Sequence, residues 1–260
     1  MSETEPQLFI LEPKRFNKAL IAFTQSIWSS GARNAGVRAD YYKELYDEAR
    51  DKNNHIEKGR LLDIGAGDCV MSLAFSKDFD EAYAIDISFP EEGVSTPMRR
   101  DNNLHLVLAD AHNLPFGDNA LDVVTAISIV EHIQHPELLL QEAVRVLKPG
   151  GQLVVQIPNR FFPIEPHTGL LFVYYLPYSI RKKWLNFLGY GNYLTYCPDF
   201  PSRKEIHHLL RNMATLKAMK TVVLPPKLIP PKLKPLYSFL VKIGMVKVLP
   251  QSWLAIYTKN

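Results

Sequence analysis

The sequence predicts an α/β fold: a mostly parallel sheet with helices on both faces. Three observations carry this. From residue 60 onward, short apolar runs alternate with helix-like segments, the pattern of parallel strands joined by crossover helices. The first run ends in a turn with two glycines, Leu61-Leu62-Asp63-Ile64-Gly65-Ala66-Gly67-Asp68-Cys69. The later runs end in acidic or polar residues, which a parallel sheet gathers along one edge, where such folds bind ligands.

The elements follow in order. Lys14 to Trp28 has apolar residues at helical spacing, broken by Gly31 and Gly36. Asp40 is placed to cap a second helix from Tyr41 to about Arg50, with Tyr42, Leu45 and Tyr46 on one face. Both precede the glycine turn and are expected to cover the sheet. Strand one is read at Arg60–Ile64, with a helix opening at Val70–Phe75. Strand two is read at Ala82–Ile87, strand three at Leu104–Ala109, strand four at Leu121–Ile127 and strand five at Gln152–Ile157. A helix from Pro136 to Leu147 precedes the fifth strand, and Lys148-Pro149-Gly150-Gly151 turns into it.

After strand five comes a loop, Pro158 to Thr168, that concentrates Arg160, Glu165 and His167. Leu170–Leu188 is apolar and aromatic, interrupted by Arg181-Lys182-Lys183, and reads as one or two helices forming a lid. Ser202 with Glu205 forms a capping box for a helix to about Met213. Strands six and seven are read at Leu216–Leu224 and Ser252–Thr258. Between them lie a lysine- and proline-rich stretch, Pro225–Pro235, and an apolar helical stretch, Leu236–Met245.

At 260 residues the chain suits one domain with embellishments. Residues 1–55 form an N-terminal helical cover, and 56–260 the main domain. That domain carries a lid insertion at about 160–200 and a basic, proline-rich insertion at about 225–250. The two cysteines, Cys69 and Cys197, do not make a disulfide framework. The start, Met1–Gln7, is unlike a secretory leader, and no apolar run reaches membrane-spanning length. A cytoplasmic setting is expected, with peripheral membrane contact as the open alternative. The net charge of +3 conceals a balance of −9 over residues 1–150 and +12 over 151–260. The second part therefore suits an anionic substrate or surface, unless the two parts neutralise each other.

The chemistry concentrates at the strand ends. The glycine turn allows a ligand to approach the backbone and is expected to aim free amides at it. A lone Gly-x-Gly also serves a purely structural turn. Asp86, ending strand two, lies where an acid accepts hydrogen bonds from two ribose hydroxyls. Asp110 with Ala111, after strand three, offers a carboxylate and an amide to an adenine edge. Any one of these acids alone fits a helix cap or a turn; acids at three strand ends together favour a site.

LLDIGAGDC, AIDIS, ADAHNLPFGDNALDVV, SIVEHI and RVLKPGGQLVVQIPN, over about residues 60–159, resemble in order and spacing a class I S-adenosylmethionine-dependent methyltransferase of the small-molecule type. The resemblance implies a Rossmann-like sheet of seven strands, with strand seven antiparallel. It also implies S-adenosyl-L-methionine as cofactor. Asp63, Gly65 and Gly67 would hold the methionine part, with Ala66 beside them; Asp86 and the adjacent Ile87 the ribose; Asp110 and Ala111 the adenine; Ser128 would line the cleft. Cys69 stands where such loops often have a third glycine. A nicotinamide fingerprint would need glycine at position 70, which is Val.

Methyl transfer is an in-line displacement that needs positioning, and a base only where the acceptor must lose a proton. His167, Glu165 and His132 are the candidates, each also readable as a packed or solvated residue. No metal ligands are picked out. The expected activity is methyl transfer to a small-molecule or lipid-linked, anionic acceptor, at oxygen first. A non-catalytic cofactor-binding protein and a nucleic-acid methyltransferase are the alternatives. The absence of an Asn/Asp-Pro-Pro-Tyr/Phe motif after strand four makes nucleic acid the weaker of these.

Overall fold

The structure is a computed structural model. It describes residues 35–50, 59–89, 103–163, 165, 167–168, 170–188, 190, 193–197, 200–223, 225 and 234–260. The helix expected at Lys14–Trp28 and most of the proline-rich stretch lie outside these.

Seven strands form one sheet: β1 (Arg60–Ile64), β2 (Glu81–Asp86), β3 (Leu104–Leu108), β4 (Leu121–Ala126), β5 (Leu147–Pro158), β6 (Ala214–Val222) and β7 (Ser252–Lys259). Their order across the sheet is β3-β2-β1-β4-β5-β7-β6. The first five pair in parallel, and β7 runs antiparallel to both β5 and β6. The winding reverses between β1 and β4, so the crevice beyond their carboxyl ends is the place a ligand fits.

Alternation along each strand divides the core into two layers, because successive side chains point to opposite faces. Leu62, Ile64, Val124, Leu153, Val155 and Tyr257 meet helix α3 (Pro136–Val146) and helix α6 (Arg203–Leu210) on one face. Leu61, Val123, Val154, Leu254 and Ile256 meet helix α1 (Ala35–Ala49) and helix α2 (Val70–Ser76) on the other. Leu61, Leu62 and Ile64 are fully buried, the near-continuous apolar run that a strand covered on both faces requires. Each such side chain contributes roughly 1.5–3 kcal/mol on burial.

Local signals fix several helix ends. Pro136 occupies the first turn of α3, with Glu137 near its N-terminus and Arg145 near its C-terminus, as the helix dipole favours. The capping box forms: the Glu205 amide donates to Ser202 Oγ at 3.4 Å, and the Ser202 amide to Glu205 Oε2 at 2.6 Å. Arg145 fastens the turn after β3 by donating to Leu114 O, Phe116 O, Asp118 and Glu142.

Two expectations need correction. Helix α1 already runs at Ala35, so Gly36 lies in its first turn and Asp40 is interior rather than a cap. Burial of Ala39, Tyr42, Leu45 and Tyr46 against the sheet outweighs the weak preferences of one glycine and one aspartate. β5 begins at Leu147, because that residue pairs with Leu121 before the register shifts at the Pro149-Gly150-Gly151 turn.

Beyond β5 a satellite cluster of Leu170, Val173, Leu185, Leu188, Tyr193 and Cys197 holds the lid together. It comprises a 3-10 turn (Val173–Tyr175), α4 (Tyr178–Leu188) and α5 (Tyr193–Tyr196). Arg181 does not interrupt it: its guanidinium is buried, 4.8 Å from the Tyr174 ring centre and 5.5 Å from that of Tyr178. The last helices are α7 (Lys234–Lys242) and α8 (Met245–Val248).

Candidate functional site

The turn after β1 is built on backbone angles that few side chains tolerate. Gly65 has φ 74° and Gly67 φ 52°, and a Cβ on Gly65 would lie 2.7 Å from Ile129 of the segment leaving β4. Cys69 adopts φ 60° in the third-glycine position, an uncommon conformation held by full burial of its side chain. Burial pushes the Cys69 thiol up to about 12, so it is an inert packing group.

Most of the amides expected to be free are engaged within the fold. The amides of Gly65 and Ala66 both donate to Ile85 O at 2.9 Å, that of Gly67 to Asp86 Oδ2 at 2.9 Å, that of Cys69 to Ala66 O, and that of Val70 to Asp68 Oδ1. A phosphate-cradling loop keeps such donors aimed outward. This one uses them to stitch β1 to β2, so it suits a ligand without a pyrophosphate.

Asp63 lies beneath the turn, 3% exposed. Its Oδ2 accepts from Ser72 Oγ and its Oδ1 from Thr125 Oγ1, both at 2.6 Å. Burial, opposed by those two hydroxyls and reinforced by Asp86, pushes its carboxyl up to about 6. Asp86, partly buried, accepts from the Gly67 and Ser88 amides, one per oxygen. A carboxylate has about four acceptor sites, so two remain for hydroxyls. Ile87 projects into solvent at 78% exposure, an apolar face beside Asp86. After the neighbouring β3, Asp110 Oδ1 receives the His112 amide at 2.9 Å and approaches His112 Nδ1 at 2.8 Å. The His112 amide holds that carboxyl below its usual range. Ala111 is buried behind it.

Ser128, also at positive φ, ends β4 within a polar chain: it donates to Gln156 Oε1 at 2.8 Å and accepts from Arg38 at 3.2 Å, and Gln156 donates to Ser252. Helix α1 therefore reaches the cleft as well as covering the sheet. Arg38 was not legible as a site residue, because its partner lies 90 positions away.

The three candidate bases converge. His132 closes a 3-10 turn (Val130–His132) after β4, and His167 follows β5. Their rings stand at 83° with centres 5.0 Å apart. Both histidines keep an exposed edge beside the buried Cys197, whose Sγ is 3.5 Å from His132 Nδ1 and 3.6 Å from His167 Nδ1. Glu165 is buried, with Oε1 2.8 Å from His167 Nδ1 and Oε2 accepting from the Thr168 amide and hydroxyl. Burial works against charge on His167, but Cys197 and Glu165 outweigh it and raise the imidazole well above its usual range. Burial would raise Glu165, yet His167 brings it below. His132 is raised in the same sense, against burial, by Cys197 and Glu131. Glu131 is buried, its Oε2 without a hydrogen-bond partner among the described residues.

Comparison with known proteins locates the chain. Residues 62–155 match the family model of a methyltransferase domain. An uncharacterized protein of Methanocaldococcus jannaschii is 28% identical over 197 residues, covering 70% of this chain and 84% of that one. A demethylmenaquinone methyltransferase of Clavibacter sepedonicus is 37% identical over 100 residues, 37% of this chain and 40% of that enzyme. A ubiquinone/menaquinone biosynthesis C-methyltransferase of Dinoroseobacter shibae is 34% identical over 110 residues, 38% and 44%. The match to these two enzymes thus spans less than half of their length. In structure, a Haloferax volcanii methyltransferase solved with its Trm112 activator superposes with TM-score 0.55 at 14% identity, over 92% of this chain and 96% of that one. At that identity the likeness is one of fold.

Proposed function

We propose that this protein, whose residues 62–155 match the family model of a methyltransferase domain, moves the methyl group of S-adenosylmethionine to a hydroxyl of a small or lipid-linked, anionic acceptor. The observation that carries the reading is the turn after β1, whose Gly65, Ala66, Gly67 and Cys69 amides are engaged within the fold while Asp86 and Asp110 follow the ends of β2 and β3. That arrangement recognises an adenosine without phosphates. Asp63 and Asp86 supply negative charge for the cofactor's ammonium and sulfonium.

The acceptor side follows from the chain's own groups. Glu165, fixed by Thr168, holds the His167 ring at the end of β5. Once deprotonated, His167 can take the proton of an acceptor hydroxyl as the methyl group arrives on oxygen. Since His167 titrates above its usual range, transfer rises with pH through a range higher than that of an ordinary imidazole. The two named methyltransferase relatives act in quinone biosynthesis, one of them at carbon, which supports a lipid-soluble acceptor. The surface supports it too. Tyr178, Ile180, Trp184 and Phe187 are exposed on α4 beside Lys182 and Lys183, and α7 exposes Leu236, Phe239 and Val241 between Lys234 and Lys242. Apolar side chains rimmed by lysines fit an acidic membrane surface. Among the described residues no helix is long and apolar enough to cross a membrane.

The test uses methyl-labelled cofactor with lipid and aqueous cell extracts. Label in a lipid product, lost on Asp86→Ala together with calorimetric cofactor binding, supports the reading. Cofactor binding without any labelled product favours a non-catalytic binding protein.

A further inference from the structure

Three side chains from distant parts of the chain converge at one point: His132 after β4, His167 after β5 and Cys197 after α5. Both imidazoles present Nδ1 to the same sulfur, at 3.5 and 3.6 Å. Hydrogen bonds can satisfy both contacts, the sulfur donating to one ring and accepting from the other, and the same three groups are also the donor set of a metal site. A single cation satisfies all three donors. With Zn–S about 2.3 Å and Zn–N about 2.0–2.1 Å, the sulfur-to-nitrogen edge of a tetrahedral site is about 3.6 Å, as both contacts are here.

We propose that His132, His167 and Cys197 bind a zinc-class divalent cation, with the fourth position facing the cleft. One thiolate and two imidazoles are the donor set such a cation selects. Three protein donors with an open fourth position mark sites that bind a reactant, and both rings are solvent-accessible. Glu165 Oε1 stands 2.8 Å from the same His167 Nδ1, so on ligation that nitrogen exchanges its Glu165 contact for the cation, and the buried carboxylate, held by Thr168, stays beside it as a compensating charge. A cation here would hold an acceptor oxygen and favour loss of its proton, and with His167 ligated it would replace that ring as the group that activates the hydroxyl. That role rests on the methyl-transfer reading, whereas the site itself does not.

The experiment takes the full chain stripped with chelator, titrates it with zinc alone by calorimetry, and records the absorption of the cobalt(II) form. We expect one equivalent bound and a thiolate-to-cobalt charge-transfer band. Cys197→Ser removes that band, and His132→Gln weakens zinc binding at least about 100-fold. Glu165→Gln weakens it about 10–100-fold. Cys69→Ser retains both signals. Absence of stoichiometric binding, or a cobalt complex without thiolate character, overturns the proposal, and so does undiminished affinity in His132→Gln, which removes an exposed ring and leaves the packing intact. Calorimetry with S-adenosylmethionine on metal-free protein is read separately, so failure of the metal site is distinguishable from failure of the cofactor site.

Discussion

Replacing Asp63 by asparagine changes stability by an amount that depends on pH, and the size follows from the burial of one carboxyl. The group titrates at about 6 in the folded protein against 3.8 when exposed. Its ionised form is therefore the one disfavoured by folding. Below pH 3.8 the carboxyl is neutral in both states and costs nothing. Between 3.8 and 6 the unfolded chain loses its proton first, so stability falls as pH rises, and above 6 the penalty levels off at about 3 kcal/mol. At pH 5 the same two values give about half of that. The amide of the Asp63→Asn variant carries no charge, so the stability of that variant relative to wild type should be about 1 kcal/mol more favourable at pH 8 than at pH 5. The altered hydrogen bonds to Ser72 and Thr125 add an offset but no slope, because neither hydroxyl titrates in this range. Urea denaturation of both proteins, cofactor-free, at the two pH values measures the difference. Equal differences at both would refute the account of Asp63 as a desolvated acid.

Other substitutions separate the parts of the site. Gly65→Ala places a Cβ 2.7 Å from Ile129 at φ 74°, and should cost about 2–3 kcal/mol and weaken cofactor binding at least about 10-fold. Gly67→Ala, at φ 52° with nothing within 4 Å, should cost only about 1 kcal/mol of backbone strain; thermal melts that rank the two alike would count against the steric argument. Arg145→Ala releases two carboxylates and two carbonyls around the turn after β3. It should lower stability by about 2 kcal/mol while calorimetry shows unchanged cofactor affinity.

Much of the sheet was legible because a strand buried on both faces leaves little freedom of composition. β1 has the bounds read from Leu61, Leu62 and Ile64, and Asp86 ends β2 as its spacing from the glycine turn implied. What the sequence could not convey is direction. Nothing in Gly65-Ala66-Gly67 says whether the amides turn outward or toward Ile85, since that depends on how β2 lies alongside. The same limit hid Arg38, which finds Ser128 only because α1 crosses the sheet. His132 and His167 were each visible as single candidates. Cys197 read merely as a second cysteine, because its two contacts span 65 and 30 positions and no local pattern encodes them.

A turn whose Gly65, Ala66 and Gly67 amides are already satisfied has little to rearrange when its guest arrives or leaves. Amide protons at positions 65 to 67 should exchange slowly with solvent even in the empty protein. Donor and spent cofactor then meet the same rigid saddle, and discrimination between them is left to the carboxylates beneath it, which register the sulfonium's charge.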